Sequence, residues 1–116
     1  MIFPKYDEYG MMVADERYTE IRKLQALLEL DHIPHQVTRI FDGWQVWYPS
    51  KAEHVCDAIE HFGSYGAEQN LLEIMGLLTA NEEAVDSVKG FMTAKEVFER
   101  IKIHYAQSRK EKEENE

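Results

Sequence analysis

His35-Gln36-Val37-Thr38-Arg39-Ile40-Phe41-Asp42-Gly43-Trp44-Gln45-Val46-Trp47-Tyr48 is the stretch whose reading decides the fold. Two runs rich in β-branched and aromatic residues flank Asp42-Gly43, the dipeptide that a two-residue type I′ hairpin turn favours. A turn there sets Phe41 opposite Trp44, Arg39 opposite Val46 and Val37 opposite Tyr48. Side chains alternate along a strand, so these residues share one side of the hairpin, and all but Arg39 are large and apolar. That side is predicted to face the core. The other carries Gln36, Thr38, Ile40, Gln45 and Trp47. A one-residue slip would turn the apolar set outward, so the register is strongly specified.

An isolated hairpin is marginal in water and needs a further strand or a covering helix. Upstream, Asp15 reads as an N-cap for a helix running to Leu30, with Tyr18, Ile21, Leu24, Leu27 and Leu28 on one stripe. Pro34 ends it. Residues 1–14 lack a period and read as an irregular arm. Downstream, residues 50–62 are ambiguous. Ser50 with Glu53 resembles a capping box, and Val55, Ala58, Ile59 and Phe62 repeat with helical spacing, which slightly favours a helix. Yet Val55, Asp57, Ile59 and His61 also alternate as in a strand. Gly63-Ser64-Tyr65-Gly66 breaks the element, with glycine supplying a positive φ. A broad apolar surface of Leu71, Leu72, Ile74, Met75 and Leu78 predicts a central buried helix over 67–78. Residues 81–87 read as an acidic connector. Thr93 with Glu96 opens a last helix whose inner stripe is Val97, Phe98, Ile101 and Tyr105. The stretch 107–116 is charged and expected to fray, leaving one domain over 1–106.

The 116 residues suit a single domain that folds without staples. One cysteine, Cys56, excludes an internal disulfide and fits a reducing compartment. No run approaches a membrane span, and Met1 to Asp7 carries no apolar signal block, so a cytoplasmic protein with no membrane partner is expected. The net charge of −9 repels phosphate backbones and argues against direct nucleic-acid binding. It suits a basic protein partner, and it also serves solubility.

The stretches Asp42 to Pro49, Gly63 to Gly66 leading into Leu71 to Leu78, and Thr93 to Ile101 resemble small uncharacterised proteins encoded by prophages and mobile elements of Firmicutes. The resemblance runs from Asp15 to Tyr105. It implies a phage or mobile-element context in a bacterial cytoplasm, supplies no catalytic residue, and favours a third strand over 54–61.

Candidate chemistry is sparse. Asp31, His32 and His35, with His54, Cys56 and His61 downstream, lack the tight paired spacing of a zinc site, so no metal and no cofactor is expected. The near neighbours of Cys56 are Glu53, His54 and Asp57, a poor setting for a reactive thiol. Gly63 to Gly66 lacks the lysine of a phosphate loop. An enzyme would require His35, His54, His61, Asp57 or Glu60 to converge in a pocket. The unusual surface is the second face of the hairpin, where Trp47 lies opposite Thr38 and diagonal to Ile40, and Tyr65 projects from its glycine turn. The reading is therefore a two-layer α+β domain: a small antiparallel sheet, built on the hairpin 35–48 with a third strand over 54–61, packed with about three helices. It is expected to act without catalysis as a phage accessory protein, binding a host or phage protein, or a second copy of itself, through Ile40, Trp47 and Tyr65. Two alternatives stand beside it: an acidic nucleic-acid mimic that inhibits a host protein, and an enzyme or component of phage nucleic-acid metabolism.

Overall fold

The structure, a computed structural model, describes residues 18–114, with the side chain of Glu114 excepted. The cap expected at Asp15 and the arm over 1–14 lie outside the described residues. The chain runs α1 (Thr19–Leu30), β1 (Gln36–Ile40), β2 (Gly43–Tyr48), β3 (Cys56–Glu60), β4 (Leu72–Met75), α2 (Ala80–Val85), β5 (Val88–Met92) and α3 (Ala94–Glu114). The strands form one five-stranded antiparallel sheet in the order β1-β2-β3-β4-β5. The α+β class holds, and the sheet is larger than the sequence reading.

The hairpin forms with its faces as expected and its turn displaced by one residue. Val37 pairs with Val46 and Arg39 with Trp44, so Phe41 and Asp42 make the turn. The reason lies outside the hairpin. A Cβ on Gly43 would sit 1.8 Å from the Glu60 carbonyl oxygen, so the glycine is needed inside the sheet, where β3 crosses closely. Phe41 takes the left-handed turn position at φ 52 instead. It is 72% exposed, which corrects its assignment to the core, while Val37, Trp44, Val46 and Tyr48 are buried.

Residues 56–60 are a strand, not the helix that spacing slightly favoured. Ser50 does accept the Glu53 amide at 3.1 Å, but in a turn. The segment expected as a central helix is β4, preceded by a 3₁₀ turn over Ala67–Gln69. Leu72 and Ile74 point into the core, where Ile74 lies across from Ala58, so alternation prevails over helical spacing. Most of the acidic connector belongs to α2, which is opened by a capping box between Thr79 and Glu82. Both termini of that pattern, Thr and Glu three apart, were present in the sequence.

One sheet face, bearing Val37, Trp44, Val46, Tyr48, Cys56, Ala58, Glu60, Leu72 and Ile74, joins Ile21, Leu24 and Leu28 of α1 and Val97, Phe98 and Ile101 of α3 in the core. The α3 stripe is as expected, and the Thr93–Glu96 capping box opens the helix, with the Glu96 amide donating to Thr93 Oγ1 at 3.2 Å. The helix continues through the polar stretch to Glu114. Tyr48 Oη lies 2.7 Å from His104 Nδ1, tying α3 to the sheet. Among the described residues no helix is long and apolar enough to cross a membrane.

Candidate interaction surface

Register places Ile40, Thr38, Gln45, Trp47, Asp57, Ile59, Glu73 and Met75 on the sheet face turned away from α1 and α3. Trp47 lies across from Gln36, not Thr38, a consequence of the shifted turn. Its Nε1 donates to the diagonal Thr38 Oγ1 at 2.8 Å, and its ring meets His54 edge to face at 4.9 Å. The indole is thus fixed from both sides, and both Trp47 and Ile40 are half-buried. Asp57 is the central group of this face, directly between Trp47 and Met75. Burial raises its pKa above the ordinary carboxylate range, opposed by His54 and a hydrogen bond from Gln45, while Glu73 adds to the rise.

Tyr65 is 56% exposed and backs onto β5. A Cβ on Gly90 would meet Tyr65 Cβ at 2.3 Å, so glycine is what lets the tyrosine loop lie against the strand. The Tyr65 amide donates to Glu73 Oε1 at 3.0 Å, and its carbonyl accepts from Phe91 at 3.2 Å. Phe91 is itself exposed and left-handed, at φ 57. Gly66 next door takes φ 100, the positive value expected of that turn.

The feature missed from sequence is an aromatic pair at the hairpin tip. Phe41 and Phe62 are 72% and 70% exposed, yet their rings stand edge to face at 5.7 Å. Both rest on the buried ring of His61, at 5.1 and 5.7 Å. Hydrogen bonds lock the support. The Phe62 amide donates to Asp42 Oδ1 at 3.0 Å, and the Tyr18 hydroxyl donates to Asp42 Oδ2. His61 Nδ1 accepts the Gly63 amide at 3.0 Å, which leaves the proton of the neutral ring on Nε2. Ser64 Oγ accepts from the His61 amide at 3.1 Å and donates to its carbonyl at 2.9 Å. Phe62 followed by glycine was the available signal, but its helical spacing with Val55 and Ile59 drew it into a stripe that does not exist.

Of the groups an enzyme would need, His54 comes near Asp57 on the open face, while Glu60 is separated from both. Asp57 and Glu60 lie three apart on β3 and therefore on opposite faces. Glu60 is fully buried beneath α1, where Oε1 accepts the Ile21 amide at 3.0 Å and Oε2 has no hydrogen-bond partner among the described residues. Burial pushes its pKa up to about 7, the helix amide opposes the rise and the charge of Glu20 adds to it. Its role is to cap α1, whose N-cap residue Tyr18 makes no side-chain capping bond. His35 Nδ1 lies 2.8 Å from the Ile33 carbonyl and Nε2 3.3 Å from Glu29. His54 Nδ1 lies 3.1 Å from the Lys51 carbonyl. No cluster of three or more metal-ligating side chains occurs among the described residues. Cys56 is buried, and burial together with Asp57 pushes its thiol up to about 12, which makes it inert at neutral pH. Comparison with protein-family models, curated proteins and solved structures finds no match.

Proposed function

We propose that the chain is a non-catalytic binding protein whose partner docks on the aromatic tip formed by Phe41 and Phe62, with Ile40, Trp47 and Tyr65 extending the contact surface. The observation that carries this reading is the exposure of two phenyl rings that the fold nevertheless orders, one of them on a left-handed backbone. Folding gains little from an exposed ring, and a bulky residue at positive φ is strained by about 1 kcal/mol or more. Rigid aromatic anchors of this kind are what interface hot spots use. The net charge of −9 favours a basic protein as partner.

The described acids are spread over every helix and several loops, and Glu20, Glu60, Glu82 and Glu96 are occupied in capping or pairing. That dispersion supports protein binding over mimicry of a phosphate row. Affinity capture from a bacterial lysate tests the proposal: wild type retains a partner that the Phe41→Ala/Phe62→Ala variant loses while keeping its circular dichroism. A folded double variant that captures the same proteins as wild type overturns it.

A further inference from the structure

We propose that Glu60 is a proton-operated latch: protonated, it seats the first turn of α1 and keeps the aromatic tip set for docking; ionised, it releases both. The docking half rests on the tip being the partner's site, whereas the latch itself stands on the geometry around Glu60. The side chain is fully buried, with Oε1 accepting the Ile21 amide at 3.0 Å and Oε2 without a hydrogen-bond partner among the described residues. Its backbone has no room to yield. The carbonyl oxygen lies so close to Gly43 that a Cβ there would come within 1.8 Å, and Trp44 pairs across from it. The start of α1 is the softer side. Tyr18 caps it from a left-handed backbone at φ 60, without a side-chain capping bond. Bonds that hold the turn include the one to Glu60, the Tyr18 amide donating to Asn70 Oδ1 at 2.6 Å, and Glu20 Oε2 accepting the Ala94 amide at 2.6 Å. A buried carboxylate that gains a charge must be hydrated or offset, so ionisation lifts this turn before it moves the strand.

Among the described residues, the charged groups that act on Glu60 belong to α1. Glu20 adds to the cost of ionising it, and Arg22 offsets part of that cost. From the sheet, β2 presents the indole of Trp44 and β4 brings Leu72 to the same core. Asp57, the other acid of β3, points to the opposite face. Burial is the largest influence and sets the loss of the proton at about 7. The latch is therefore shut on the acid side of neutrality and opens as pH rises through it. The same turn reaches the tip. The Tyr18 hydroxyl donates to Asp42 Oδ2, and Asp42 Oδ1 accepts the Phe62 amide at 3.0 Å. Phe62 in turn braces Phe41 edge to face. Lifting the turn withdraws Tyr18 from Asp42 and loosens the support of both rings. Apparent affinity for a partner then falls with the fraction of molecules whose tip is still set.

An amide NMR titration of the full chain, from about pH 5 to about pH 8, tests the latch without any partner. The Ile21 and Phe62 amide resonances should move together, with one midpoint at about 7. In Glu60→Gln both stay still. In Tyr18→Phe, which removes only the hydroxyl, Ile21 still moves and Phe62 does not. Separate midpoints in wild type overturn the proposal. So does a Phe62 titration that survives in Glu60→Gln, which would belong to neighbouring His61. One that survives in Tyr18→Phe overturns the path through Asp42. Capture at the two ends of the range reads the docking half: wild type retains less partner at the alkaline end, and Glu60→Gln retains the same amount at both. Equal retention by wild type, or an equal decline in Glu60→Gln, overturns the coupling to docking. Failure of the aromatic site shows instead as unchanged capture by Phe41→Ala/Phe62→Ala, with the wild-type amide titrations as expected, so the two readings fail separately.

Discussion

Strand β3 places one acid on each face of the sheet, and the two are treated differently. Glu60 points under α1, where the Ile21 amide donates to one oxygen and the other has no hydrogen-bond partner among the described residues. Asp57 points to the open face, where His54 and Gln45 temper a burial that still raises its pKa. The covered face stores stability in apolar contact and admits a carboxyl only as a helix cap. The open face carries polar and aromatic groups, among them Thr38, Gln45, Trp47 and Asp57. If the proposed function holds, recognition belongs to the open side and the hairpin tip while the covered side supplies stability, and each half of that reading can be broken separately.

The largest effect expected is on the covered side. Ile101 is 1% exposed and central to the packing of α3. Ile101→Ala should lower unfolding stability by about 3 kcal/mol, from lost burial plus the cavity left behind. The same truncation at half-buried Ile59 on the open face should cost less than about 1.5 kcal/mol. Urea denaturation of the two variants measures the contrast. Equal losses would mean that the open face is packed as a core, and the division between faces would fail.

A second effect, of similar ceiling but visible only with pH, belongs to Glu60. Its folded pKa of about 7 lies above the ordinary 4.5, so the folded protein holds the proton more tightly than the unfolded chain. The resulting stability is fully present below pH 4.5 and is lost as pH rises through 7, by up to about 3 kcal/mol. Glu60→Gln removes the ionisation while leaving an oxygen to receive the Ile21 amide. Chemical denaturation from pH 4.5 to 8 should show a flatter profile for the variant than for wild type. Parallel profiles would show that Glu60 titrates as an ordinary carboxyl.

The two faces also differed in how far they were legible from sequence. Alternation alone sorts Val37, Trp44, Val46 and Tyr48 from Gln36, Thr38, Gln45 and Trp47, because period two survives any register shift of two residues. The turn was placed wrongly because the demand on Gly43 comes from Glu60, seventeen residues away in the chain and in contact only after β3 pairs. Leu71 to Met75 satisfies both helical spacing and alternation, and only the need of β3 and β5 for a neighbour resolves it. The open face was partly visible, since Trp47 and Ile40 fall there by parity. Phe41 and Phe62 were not, because a local pattern gives an aromatic side chain no reason to be outside.

The smallest expected change in stability is the most informative about recognition. Phe41 holds a left-handed backbone at φ 52 with its ring mostly in water. Asparagine tolerates that conformation far better, since its short polar side chain can bond locally. Phe41→Asn removes the ring contacts with His61 and Phe62, worth about 0.5–1.5 kcal/mol, and relieves backbone strain of about 1 kcal/mol. The two nearly cancel, so the melting temperature should move by no more than a few degrees in either direction. Partner capture should nonetheless fall sharply. A variant that unfolds early would place the ring among the groups that hold the hairpin to β3, and the aromatic tip would then be structure rather than a contact held ready for another molecule.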